Sequence, residues 1–119
     1  MQRALIAIDK PHVPWIAPKE FFDALPEWEQ IPLAADVYAP IAMPDAAWHF
    51  PADVHGMKIQ FNGTCNRTRS ALYRRAYYAS VAYQDYNIGM VLGELQTLGV
   101  AANTLIVLMG TWRVHLPFS

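Results

Sequence analysis

A histidine held between prolines is the residue of this chain best placed to do chemistry. Pro11 comes immediately before His12 and Pro14 two residues after it, in the run Asp9-Lys10-Pro11-His12-Val13-Pro14. Proline fixes its own φ and biases its predecessor towards extended backbone. The imidazole therefore sits on a stiff support. A histidine so placed donates a proton to a leaving alkoxide or contacts an anionic oxygen. Lys10 adds positive charge two residues earlier, which favours an anionic substrate. His12 is the candidate catalytic residue, and Lys10 the candidate substrate contact.

The remaining reactive side chains read as structural. Cys65 is the single cysteine, so it forms no intrachain disulfide; it reads as an unpaired thiol in a loop. His49 and His55 bracket Trp48 and Phe50 and read as ordinary loop histidines, and His115 is assigned no role. Arg67, Arg69, Arg74 and Arg75 cluster where a helical pattern begins and read as a solvated face. No residue is assigned as a metal ligand. Asn62-Gly63-Thr64 and Asn66-Arg67-Thr68 are glycosylation sequons, which mildly favour a secretory route.

The elements that must position His12 follow from the apolar pattern. Ala4-Leu5-Ile6-Ala7-Ile8 reads as a buried strand, since it lacks polar alternation. Thr104-Leu105-Ile106-Val107-Leu108-Met109 reads as a second. The two are expected to pair in parallel, with His12 at the carboxyl end of the first and near Gly110 at the end of the second. Ligand sites of open α/β sheets lie at that edge.

Between the runs, residues 69–98 carry the strongest helical signal. Tyr78, Val81, Asp85, Ile88, Leu92 and Leu95 recur at three- and four-residue steps, and Ala82, Val91 and Leu98 widen the stripe. Thr68 is the expected N-cap and Gly99 the expected C′ residue. This helix is expected to pack across the strands. Tyr73, Tyr77, Tyr78 and Tyr83 do not share one helical face, so no aromatic stripe is expected.

Residues 11–51 hold eight of the nine prolines. No long helix or central strand survives that spacing. One short helix is expected from Pro18 to Leu25, with Pro18 in its first turn. The rest is an aromatic-studded excursion whose Trp15, Phe21, Phe22, Trp28, Tyr38, Trp48 and Phe50 should lie against a larger body.

Composition bounds the remainder. A chain of 119 residues is one domain at most, and its 54% hydrophobic content suits a packed core. The formal net charge of -1 argues against a nucleic-acid partner. The longest apolar runs fall well short of the roughly 18 residues of a membrane span. No signal peptide is visible at the start.

In combination, these motifs resemble sulfatases of the alkaline phosphatase superfamily, nearest to the iduronate and choline sulfatase branch. The matching residues are Lys10-Pro11-His12-Val13-Pro14, then Pro18-Lys19-Glu20-Phe21. Arg74, Tyr77, Tyr78, Ala79, Val81, Tyr83, Asp85, Gly89, Leu92 and Leu95 follow in the family's order, and Asn103-Thr104-Leu105-Ile106-Val107 closes the match. The resemblance implies an α/β fold, as a fragment of an alkaline-phosphatase-like sulfatase domain. It has parallel strands, a long packing helix and a proline-rich excursion. It also implies a sulfuric ester hydrolase that uses formylglycine and calcium on a sulfate-ester substrate. The parental location is the secretory pathway, lysosomal or extracellular.

The resemblance covers residues 1–110; residues 111–119 form a tail unlike the family. Where the family continues Gly-Asp-His-Gly, Gly110 is followed by Thr111-Trp112, so the calcium-binding carboxylate is missing. The formylglycine motif is Cys-x-Pro/Ala-x-Arg. Cys65-Asn66-Arg67-Thr68-Arg69 has Arg67 in the third position and lies on the wrong side of the His12 motif. The chain is therefore expected to be inactive alone. Two alternatives remain: a non-catalytic binding module that uses the aromatic excursion, and a phosphoesterase of the same superfamily.

Overall fold

The computed structural model describes residues 4–35, 38, 40–47 and 63–110. Its order is a short helix α1 (Lys19–Asp23), 3-10 turns at Trp28–Gln30 and Asp45–Ala47, a long helix α2 (Arg67–Thr97) and a last 3-10 turn at Ala101–Asn103.

α2 dominates, and its ends explain its length. Asn66, not Thr68, is the N-cap: its side-chain oxygen accepts from the N–H groups of Thr68 at 2.9 Å and Arg69 at 3.4 Å. These are two of the donors that a helix start leaves without partners. At the other end Gly99 adopts a left-handed φ of 68°. The Val100 N–H returns to the Leu95 carbonyl at 3.1 Å and the Gly99 N–H to Gln96 at 2.9 Å. This paired closure needs a residue tolerant of positive φ at C′. Gly89 and Gly93 lie inside the helix and do not break it.

The α/β expectation is overturned. Among the described residues there is no strand, and the fold is helical. Residues 4–8 do not pair with residues 104–109, and α2 does not pack across a sheet. Leu5 is 93% exposed and Leu105 88% exposed. The cause is the difference between the two kinds of regular structure. A helix closes its hydrogen bonds within one segment, whereas a strand closes them only on a neighbour. An apolar, β-branched run is strand-compatible, but it becomes a strand only where a sheet receives it.

Most of the stripe expected to face that sheet is consequently uncovered, with Ala82, Ile88 and Leu95 half-buried. Tyr78, Val81, Asp85, Val91, Leu92 and Leu98 are exposed. What is covered instead is the first half of the helix, where Ser70, Ala71, Ala79 and Ser80 are buried. What covers it is the proline-rich excursion. Phe21 of α1 meets the rings of Tyr83 and Tyr86 at 5.1 and 5.7 Å, and Ile31 is buried. The radius of gyration, 18.1 Å, exceeds the about 14 Å of a closed domain of this length. Among the described residues no helix is long and apolar enough to cross a membrane.

Proline shapes the excursion through acceptors as well as through φ. A proline offers a carbonyl and no N–H. Six proline carbonyls here receive donors from elsewhere. Phe21, Met43 and Ala47 N–H groups bind those of Pro18, Pro40 and Pro44. Side chains of Trp15, Lys10 and Arg74 bind those of Pro11, Pro14 and Pro32. α1 is shorter than expected, with Pro18 as its N-cap.

Candidate functional site: the His12 turn

His12 sits on a tight turn whose peptide groups are held one by one. Its own N–H donates to the Asp9 carbonyl at 2.9 Å. The Pro11 carbonyl accepts the indole N–H of Trp15 at 2.8 Å. The Pro14 carbonyl accepts the Lys10 ammonium at 2.7 Å. The Val13 carbonyl lies 2.7 Å from His12 Nδ1. Peptide bonds 10–11 and 13–14, both leading into proline, are cis.

The last contact decides the tautomer. A carbonyl oxygen only accepts, so His12 Nδ1 carries the proton. In the neutral ring Nε2 is then the bare nitrogen, and in the imidazolium Nε2 carries the second proton. His12 is exposed, so that nitrogen is open to a ligand. The pattern matches that of a working histidine whose far nitrogen is fixed by a backbone carbonyl. It can take a proton or give one, at one defined atom.

Lys10 is half-buried and has one ammonium hydrogen committed to Pro14. An ammonium has three donors, so two remain for an anion. The charge expected to meet substrate thus also closes the turn.

The turn is anchored by Trp15, a contribution not legible from the motif. Its ring stands edge-on to Tyr73 at 6.1 Å and 66°, and to Tyr77 at 5.9 Å and 80°. Such pairs are worth about 0.5–1.5 kcal/mol each beyond simple burial. The i, i+4 spacing of Tyr73 and Tyr77 places them on one helical face, which is the signal that could have found the clamp.

The arginine cluster also differs from expectation. Arg67 and Arg69 are solvated. Arg74 donates to the Pro32 carbonyl at 2.6 Å and Arg75 to the Phe22 carbonyl at 3.0 Å. Arg75 also lies 3.5 Å from Glu27. These two guanidiniums tie the excursion to α2.

Cys65 is half-buried directly before the N-cap. His12 and Gly110 are not brought together by a sheet edge, since neither apolar run is paired. His49, His55, Thr111 and His115 lie outside the described residues. Among the described residues no group of three or more His, Cys, Asp or Glu side chains could hold a metal ion. Calcium needs several oxygen ligands, and the described residues gather no such set of carboxylates.

Comparison with known proteins identifies the kinship. The chain is 34% identical over 108 residues to iduronate 2-sulfatase of Mus musculus, covering 85% of this chain and 19% of that protein. It is 32% identical over 108 residues to iduronate 2-sulfatase of Homo sapiens, covering 85% and 20%. The chain is thus similar to sulfatases over most of its own length. It spans about a fifth of the length of the curated relatives it matches. No protein-family model matches it, and no solved structure gives a significant match.

Proposed function

We propose that this chain carries the His12 segment of a sulfuric ester hydrolase of the iduronate 2-sulfatase kind. The observation that carries the reading is the identity to two iduronate 2-sulfatases over 85% of the chain. The His12 turn supports it, because it presents one open nitrogen beside a lysine.

In this reading the imidazolium gives its Nε2 proton to the alkoxide oxygen that departs as the sulfate ester is cleaved. The ring is left neutral, with Nδ1–H still held by the Val13 carbonyl. Lys10 attracts the anionic ester with its remaining ammonium hydrogens. The proton transfer is worth about 10²–10⁴-fold, short of the 10⁶-fold or more that enzymes typically reach. Cys65 does not lie in a formylglycine motif, and calcium finds no ligand set on the described residues. On this reading the chain alone should show no turnover, and its contribution belongs to a larger catalytic body. The two sequons suit transit through the secretory pathway, where a glycosidase-sensitive mass shift on expression would report their use.

A chimera tests the function. The matched segment of mouse iduronate 2-sulfatase is replaced by this chain's residues and assayed on sulfate and phosphate esters. The expected result is sulfate-ester hydrolysis that falls by about 10²–10⁴-fold in His12→Ala. Undiminished hydrolysis in His12→Ala sinks the role. Preference for the phosphate ester transfers the reading to a phosphoesterase. The binding-module alternative has less surface to work with, since Trp15 and Phe21 are spent on the tyrosines of α2.

A further inference from the structure

Trp15 touches both things that His12 needs, namely its backbone and the helix. The peptide plane joining Pro11 to His12 is held at each end. Its N–H donates to Asp9, and its carbonyl accepts from the Trp15 indole. That plane sets the direction in which the His12 side chain leaves the backbone. The imidazole then closes on the Val13 carbonyl one residue along. A turn of a few residues on the surface would exchange such local hydrogen bonds for water. This one is held against α2 by an indole ring that meets both Tyr73 and Tyr77. Lys10 closes the turn from the opposite side, on Pro14.

We propose that Trp15 is a positioning residue for His12. Its N–H on the Pro11 carbonyl and its ring against Tyr73 and Tyr77 hold the turn that selects the Nδ1–H tautomer and leaves Nε2 as the working nitrogen. The inference rests on His12 being the working residue of the proposed sulfatase site. Its test is independent of turnover.

The 119-residue chain is labelled with ¹⁵N-histidine, and the His12 signals are assigned by their loss in His12→Gln. Long-range ¹H–¹⁵N correlations are then read at a pH where the ring is neutral. The wild-type chain shows the Nδ1–H form. Trp15→Phe keeps an aromatic ring for Tyr73 and Tyr77 but loses the bond to Pro11, and shows a mixture. Trp15→Ala loses both and shows the Nε2–H form that free histidine prefers. Circular dichroism confirms that α2 persists in the variants compared; where Trp15→Ala does not keep it, Trp15→Phe decides alone. A wild-type chain already in the Nε2–H form overturns the proposal. So does the wild-type tautomer retained in Trp15→Phe, or in Trp15→Ala with α2 intact. Those results leave the role of His12 in the chimera untouched. Conversely, an undiminished His12→Ala chimera sinks the sulfatase role without moving the tautomer result.

Discussion

Two stretches of the same helix are treated differently by the rest of the chain. Along residues 67–86, α2 is wrapped by the excursion, and all four of its buried residues fall between Ser70 and Ser80. Along residues 89–97 nearly every position is exposed, including Met90, Val91 and Leu92. Backbone geometry and hydrogen bonding are the same in both. The wrapped stretch holds side chains that reach out for the excursion, namely Tyr73, Arg74, Arg75, Tyr77 and Tyr83. The bare stretch holds aliphatic residues and two glycines. Periodicity marks an aliphatic stripe that runs into the bare stretch as the part to bury, whereas the excursion settles on the stretch with rings and guanidiniums. A proline-rich partner has carbonyls to satisfy and flat rings to place, and aliphatic residues offer neither.

The first way to break this comparison is to crowd one stretch and thin the other. Ala79, in the wrapped stretch, is fully buried. Ala79→Leu leaves no room for the added carbons and should destabilise the chain by about 3 kcal/mol. Leu92→Ala removes an exposed side chain and should change stability by no more than about 0.5 kcal/mol. Urea unfolding followed by helical circular dichroism compares them. Equal losses would mean that the bare stretch is covered after all.

Arg75 sharpens the comparison from the polar side. Its side chain is 18% exposed and binds the Phe22 carbonyl and Glu27. Arg75→Ala should cost about 2 kcal/mol, in the range for hydrogen bonds made by charged groups. The Glu27 pair contributes little of this, because Glu27 is 70% exposed and well screened. Glu27→Gln should therefore cost much less than Arg75→Ala. Equal costs would place the energy in the ion pair.

How much of this was legible differs by element, for physical reasons. α2 and its Gly99 closure could be read because a helix is written in local spacing and local caps. The stiffness of the His12 turn could be read because proline acts on its immediate neighbours. The strands could not, since residues 4–8 and 104–109 carry strand composition without the neighbour that makes a strand. Trp15 on Tyr73 and Tyr77 is a contact between distant parts of the chain; the i, i+4 spacing of the tyrosines offers a ring pair on one helical face, but nothing in either segment says which residue fills it. The relation to iduronate 2-sulfatases was legible from motif order alone, although the α/β fold that the resemblance implied is absent from the described residues.

A smaller effect comes from Ser80, fully buried with no hydrogen-bond partner for its hydroxyl among the described residues. Removing an unsatisfied buried hydroxyl relieves a desolvation cost, and alanine is the better helix former. Ser80→Ala should stabilise the wrapped stretch by about 1 kcal/mol. A loss in the same urea titration would show that the hydroxyl has a partner in solution.

The smallest expected effect tests the bare stretch directly. Among the described residues a Cβ added at Gly93 meets nothing within 4 Å, and the same holds at Gly89. Both residues lie inside α2, where alanine is favoured over glycine by about 0.8 kcal/mol. Gly93→Ala should therefore stabilise the chain by about that amount. Gly99→Ala is the control, because space alone does not decide there. Its Cβ also meets nothing, yet its φ of 68° is a conformation that alanine disfavours. The two substitutions should move the unfolding midpoint in opposite directions. If Gly93→Ala destabilises instead, a surface of this chain or of a second copy already packs closely on α2 at that point in solution. The sign of one methyl group would then separate a helix that ends in solvent from one that presents a face for packing.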